Sequence, residues 1–165
     1  MPDQHLSDLR FDQLGLANTV LDGLRDAGFA NCTPIQARTL PIALSGHDVA
    51  GQAQTGTGKT AAFLVALFHH LLKHPPREGR RPQQVRAMIL APTRELAVQI
   101  HADAEVLGRH TGLTLGLAFG GTDYEKQRQR LQEGVDVLIG TPGRIIDYFK
   151  QRVFDLTHAQ VMVLD

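Results

Sequence analysis

The sequence has no surplus of charge of either sign and nothing to staple it. Its 165 residues carry 17 Lys plus Arg against 17 Asp plus Glu. No whole-molecule field therefore draws it to nucleic acid or to an acidic membrane surface, and any polyanion must be held by local groups. A single cysteine, Cys32, excludes an internal disulfide and fits a reducing compartment. The longest apolar run, 61–68, is far below the roughly 18 residues of a membrane span. The start, 1–11, is polar and rich in Asp, the opposite of the basic and then apolar segments of a secretory leader. Internal repeats and low-complexity tracts are also missing. What is present is 42% hydrophobic against 21% charged residues, about one domain's worth of chain able to bury a core. That excludes a disordered chain and a disulfide miniprotein, and a soluble cytoplasmic domain with no membrane partner is expected.

Residues 1–47 show two helix-like stretches, 17–27 and 35–44, with Thr33-Pro34 between them in the manner of an N-cap followed by a first-turn proline. From residue 48 onward short apolar runs alternate with amphipathic ones. Strands are expected at 48–53, 86–91, 114–119, 135–139 and 160–164, and helices at 59–73, 94–109, 124–132 and 145–151. This alternation predicts an α/β fold with a doubly wound, mostly parallel sheet, whose ligands sit beyond the carboxyl ends of the strands. The segment 74–86 holds three prolines and Arg77, Arg80, Arg81 and Arg86 against one acid, Glu78. It reads as a solvated surface loop, with an accessory RNA contact as the sharper alternative. His70 and His74 stand four apart, but no third ligand completes a zinc set and Pro75 follows at once, so a helix end with solvated histidines is expected.

The strongest chemical signal is Ala53-Gln54-Thr55-Gly56-Thr57-Gly58-Lys59-Thr60, placed between an expected strand and an expected helix. Glycines at 56 and 58 let backbone N–H groups curl inward, and the helix N-terminus adds its positive end. Lys59 reaches terminal phosphates and Thr60 offers a hydroxyl to Mg²⁺. The strict pattern asks for glycine where this chain has Ala53. Read by itself, the loop predicts nucleoside triphosphate binding, and leaves open a glycine-rich turn that only packs the sheet.

Several further segments then fall in order. Gly28-Phe29 with Thr33-Pro34-Ile35-Gln36, the loop 53–60, Pro92-Thr93-Arg94-Glu95-Leu96-Ala97, Gly120-Gly121, Thr141-Pro142-Gly143-Arg144 and Val163-Leu164-Asp165 together resemble the DEAD-box RNA helicase family, first RecA-like domain. The wording of 31–36 and 97–105 further resembles the bacterial RhlB-like branch, associated with the RNA degradosome. The resemblance implies a RecA-like P-loop domain over 48–165, preceded by an adenine-recognition region over 1–47, and ATP with Mg²⁺ as cofactors. It implies an ATP-dependent RNA helicase that opens short duplexes, with RNA held through its backbone and the degradosome endoribonuclease scaffold as a partner.

The resemblance also gives residues their roles. Gln36 would pair with the adenine edge through an amide that both donates and accepts, and Phe11, 17 residues before Gly28, would stack on the base. Apart from the family, these are a helix-surface glutamine and a core phenylalanine. Lys59 and Asp165 would be catalytic, with Thr60 and Asp165 holding Mg²⁺. Thr93, Arg94, Gly121, Thr141 and Arg144 would hold the RNA sugar-phosphate backbone, for which a guanidinium fork, a glycine permitting close approach and a helix N-terminus are suited. Thr141-Pro142 also reads as an ordinary N-cap, and Arg94 and Arg144 as surface residues.

The chain departs from the family at Asp165, the first residue of the expected Asp-Glu-Ala-Asp. Later motifs and the second RecA-like domain, with its arginine fingers, are not in the sequence, so the domain reads as C-terminally incomplete. The expectation is a chain that binds ATP or RNA weakly without turnover. The alternatives are another P-loop ATPase that shares Gly-Lys-Thr, and a non-catalytic RNA-binding module.

Overall fold

Local chemistry sets the helix starts. Thr33 and Gln36 form a reciprocal capping box around the first turn of one helix, with Pro34 at its first position. Thr93 Oγ1 accepts from Leu96 N at 3.2 Å and caps another. The computed structural model describes residues 5–165, so the first four residues of the polar start read from the sequence lie outside it.

The described residues form two compact units. The first runs up to Lys73 and adds Val106–Thr111; the second comprises His74–Glu105 and Gly112–Asp165. In the first unit a 3₁₀ turn, Phe11–Gln13, which the sequence did not reveal, precedes α1 (Asn18–Asp26), α2 (Pro34–Leu44) and α3 (Lys59–Lys73). The limits of α3 are those expected. Its stripe Ala61, Leu64, Val65, Phe68 and Leu71 is buried at helical spacing, and Phe11, Val20, Leu24 and Leu40 of the same unit are buried as well.

The second unit carries β1 (Ala87–Leu90), α4 (from Arg94, ending at Leu107), β2 (Leu115–Ala118), α5 (Tyr124–Glu133), β3 (Val137–Gly140), α6 (Pro142–Lys150) and β4 (Val161–Leu164). The four strands pair in parallel in the order β2-β3-β1-β4, with Ile89 opposite both Ile139 and Val163. Chain order runs leftward from β1 to β2 and then rightward to β3 and β4. With right-handed crossovers, α4 covers one face and α5 and α6 the other, which is the doubly wound arrangement expected. Met88, Ala118 and Leu138 bury one face against Leu131 of α5 and Ile145 and Tyr148 of α6.

Two expectations are corrected. Residues 48–53 form no strand: they are irregular and mostly exposed, and no neighbouring strand pairs with them. An alternating run becomes a strand only when a ladder partner satisfies its amides and carbonyls. Gly51 instead lies along α2, where a Cβ would stand 3.7 Å from Thr39 and 3.9 Å from Ile35.

The second correction concerns the arginine-rich segment, which is not simply solvated. Arg86 is 4% exposed and Arg80 is largely buried, and both face Asp136 at 3.8 and 3.2 Å. Arg80 also donates to the carbonyls of Gln84 and Val135, and Arg86 to that of His74. Burial pulls the Arg86 guanidinium below its ordinary value while Asp136 pulls it back up. These two cations hold the sheet end and are not surface contacts.

Candidate nucleotide and nucleic-acid sites

In the first unit the glycine-rich loop leads directly into α3. Gly56 and Gly58 take φ values of 82° and 87°, the left-handed region that suits glycine. Thr57 Oγ1 donates to Gln54 O at 2.7 Å and closes the turn. Gly58 O accepts from Ala62 N at 3.1 Å, which makes Gly58 the residue that opens α3, with Lys59 and Thr60 in its first turn. First-turn N–H groups have no intrahelical acceptor, so Lys59 and Thr60 stand where a helix favours an anion. Ala53, at the position where the strict pattern has glycine, is half-buried, and Gln54 and Thr55 are exposed.

Gln36 ties this loop to α2. It is 3% exposed; its Oε1 accepts from Thr33 N at 2.8 Å and its Nε2 donates to Gly58 O at 2.9 Å. A primary amide has two acceptor lone pairs and two N–H groups, so this arrangement spends one of each and leaves one of each. A Cβ on Gly58 would stand 2.5 Å from Gln36 Nε2 and 2.8 Å from Thr33 Oγ1. Phe11 sits in the 3₁₀ turn with its N–H donated to Ala30 O, and at 2% exposure its ring is covered. A stacked base would need that ring uncovered.

In the second unit the carboxyl ends of β1, β2 and β3 bring three loops together, with β1 and β3 sending their following helices to opposite faces. This is the switch point at which open α/β sheets bind ligands. Thr93 and Arg94 follow β1, Gly121 follows β2, and Thr141 and Arg144 follow β3, so five residues picked out along 52 positions of chain share one sheet end. Arg94 lies over the Phe119 ring with Cζ 5.7 Å from its centre, and a Cβ on Gly121, φ 90°, would stand 2.8 Å from Arg94 Nη1. Glycine is what lets that guanidinium lie across the loop.

Arg144 is held more firmly. Its Cζ is 4.9 Å from the centre of the Tyr124 ring and 5.5 Å from that of Tyr148, and Nη1 donates to Gln127 Oε1 at 3.1 Å and Thr122 O at 3.3 Å. Gln127 Oε1 also accepts from Phe119 N at 3.1 Å, and the Tyr148 hydroxyl donates to Tyr124 O at 2.6 Å. Burial raises the Tyr148 phenol above its usual value and keeps it a donor. Thr141 starts α6 but makes no side-chain cap, so its hydroxyl is not spent on the helix. The sequence reading missed Phe119, Tyr124, Gln127 and Tyr148. Aromatic residues flanking Gly120-Gly121 and four residues after Arg144 were the available signal.

Asp165 follows β4, its N–H donated to Leu90 O at 2.9 Å. Among the described residues no cluster of three or more His, Cys, Asp or Glu gathers as a metal site, and no helix is long and apolar enough to cross a membrane.

The profile of the DEAD/DEAH box helicase family matches residues 33–165. Over all 165 residues the chain is 62% identical to an ATP-dependent RNA helicase RhlB of Erwinia tasmaniensis and 59% identical to one of Vibrio vulnificus. It spans 38% of the length of each of these relatives. A solved DEAD box protein from the hyperthermophile Methanococcus jannaschii matches 95% of this chain and 41% of its own, with a TM-score of 0.82 and 32% identity.

Proposed function

The chain belongs to the DEAD/DEAH box helicase family, and on that premise we propose that it is the ATP- and RNA-binding first RecA-like part of a cytoplasmic ATP-dependent RNA helicase that opens short duplexes. Residues 1–47 supply adenine recognition and 48–165 the RecA-like body. The observation that carries this reading is Gln36. Its amide is anchored to Thr33 and to the carbonyl of Gly58, with one N–H and one lone pair left over. That remainder matches the N7 acceptor and N6 donor of adenine and mismatches guanine. One side chain thus joins base identity to the shape of the phosphate loop.

Ala53 to Lys59 cradle the phosphates through backbone N–H groups and the Lys59 ammonium, and Phe11 would stack on the base only once its covered ring is opened. Mg²⁺ would neutralise phosphate charge, and within the first unit the Thr60 hydroxyl is the protein oxygen that the phosphate loop offers it. Thr93, Arg94, Gly121, Thr141 and Arg144 take the RNA sugar-phosphate backbone. Such contacts position a strand without reading its bases, so the RNA is bound without sequence preference. The likeness to RhlB proteins supports the RNA degradosome endoribonuclease scaffold as a partner of the full-length protein.

Competition of ATP and GTP for a fluorescent nucleotide tests the reading. ATP wins by about tenfold in the parent chain, the worth of one or two hydrogen bonds, and the preference collapses in Gln36→Ala while Lys59→Ala loses both nucleotides. Equal affinities of ATP and GTP in the parent, or a preference for ATP that survives Gln36→Ala, would refute it.

A further inference from the structure

A groove of about 760 Å³ opens at the C-terminal end of α6, within the second unit and away from the loops that gather at the strand ends. Three cations line it, Arg81, Lys150 and Arg152, against one acid, Asp155. That acid is already engaged: it accepts from Thr157 N at 2.9 Å and lies 3.8 Å from Arg81. On a chain whose net charge is zero, this is a local positive surface. Phe149 lies in the same groove. Its ring is tilted 56° on the buried Phe154 at 5.9 Å, yet the residue is 47% exposed. The ring is held against Phe154 and is still close to half exposed.

Arg152 supplies an independent observation. It follows the cap of α6 with φ 58°, its N–H donated to Phe149 O and that of Val153 to Tyr148 O. This is the left-handed position that ends many helices and favours glycine. The chain instead keeps a residue with a Cβ there, against its conformational preference, and that residue's side chain lines the groove.

A half-exposed ring among spaced cations is the combination that holds single-stranded nucleic acid, a base on the ring and phosphates on the cations. The carboxylates of an acidic peptide gain nothing from a ring face, which is negative, whereas a base stacks on it. We propose that this groove is a second contact for single-stranded RNA. α6 connects it to the first: the helix begins beside Arg144 and ends at Lys150, nine residues or about 13 Å further on, with Ile146 exposed between. The inference takes only the kind of ligand from the function proposed above, since none of its residues belongs to the strand-end loops.

The test measures binding of a fluorescein-labelled oligouridylate of about 16 nucleotides to the full chain across a salt series. Arg152→Gly should raise the urea midpoint, because glycine takes φ 58° freely, and at the same time flatten the slope of log K against log salt by about 0.7, one phosphate contact. Removing Lys150 and Arg152 together should flatten it by about 1.4, two phosphate contacts. Phe149→Ala should raise Kd about fivefold or more. Unchanged Kd and slope in these variants, while Arg144→Ala weakens binding, would overturn the groove and leave the strand-end loops standing. Losses in the groove variants with none in Arg144→Ala would support the groove and refute the loops. No RNA binding by the parent chain, or an oligoglutamate that binds more tightly and loses affinity in Arg152→Gly, would overturn the inference.

Discussion

Replacing Gly58 with alanine probes the joint between α2 and the phosphate loop, and its cost follows from the geometry in two parts. The first is conformational: φ is 87°, where a residue with a Cβ is disfavoured by about 1–2 kcal/mol. The second is steric. The added carbon would stand 2.5 Å from Gln36 Nε2, 2.8 Å from Thr33 Oγ1 and 3.1 Å from Gln36 Cδ. Gln36 is 3% exposed and Thr33 7%, so neither swings aside into water. Gln36 must release either Gly58 O or Thr33 N, and a buried polar group without its partner costs about 1–3 kcal/mol.

The total for Gly58→Ala is therefore about 2–5 kcal/mol. Gly56→Ala is the control, because φ there is 82° but nothing lies within 4 Å of the added carbon. It should lose only the conformational part. Urea unfolding of both variants at unchanged m measures the difference, expected to be about 2 kcal/mol. If the two variants unfold within about 0.5 kcal/mol of each other, the contact of Gln36 with the loop contributes nothing, and the link between base recognition and phosphate loop falls with it.

Gln127→Leu keeps the side chain's bulk but removes the oxygen shared by Phe119 N and Arg144; it should weaken RNA binding non-additively with Arg144→Ala in a double-mutant cycle. Asp136→Ala strips Arg80 and Arg86 of their counter-charge and should cost about 3 kcal/mol or more in denaturant unfolding, with ATP and RNA affinities of the surviving folded chain unchanged. Burial raises the Cys32 thiol to about 11, so at pH 8 the native chain should resist iodoacetamide until it is unfolded. For the same reason stability should be level below the unfolded thiol's value near 8.5 and fall as pH rises from there towards 11, because the unfolded chain loses its proton first.

The helices and the glycine-rich turn that opens α3 were legible because their signals are local. The apolar stripe of α3 lies within 15 residues, and Thr33-Pro34 announces a cap with no outside help. The strand expected at 48–53 was misread because alternation reports a side-chain pattern and is silent about a hydrogen-bonding neighbour. Arg80 and Arg86 were misread for a related reason. A run of arginines among prolines looks solvated until Asp136, some 50 residues later, is seen between them. The setting of Arg144 was equally hidden, since Gln127 and Thr122 reach it from 17 and 22 residues away, over two elements.

How those cations are held also explains why a chain of zero net charge can serve a polyanion. Arg10, Arg25, Arg80, Arg81, Arg86, Arg109, Arg128 and Arg130 each lie within ion-pair distance of a carboxylate, so most of their charge is cancelled in place. Arg94 and Arg144 are positioned differently, over the rings of Phe119, Tyr124 and Tyr148 and by neutral oxygens. A ring face attracts a cation through its quadrupole and fixes its direction, yet it adds no opposing unit charge. An arginine so held is already oriented before a phosphate arrives and still carries its charge, so little side-chain freedom remains to be lost on binding. The balanced composition and an affinity for RNA are therefore compatible: the acids neutralise the arginines that build the fold, and the aromatic rings hold, without neutralising, the two that face the strand ends.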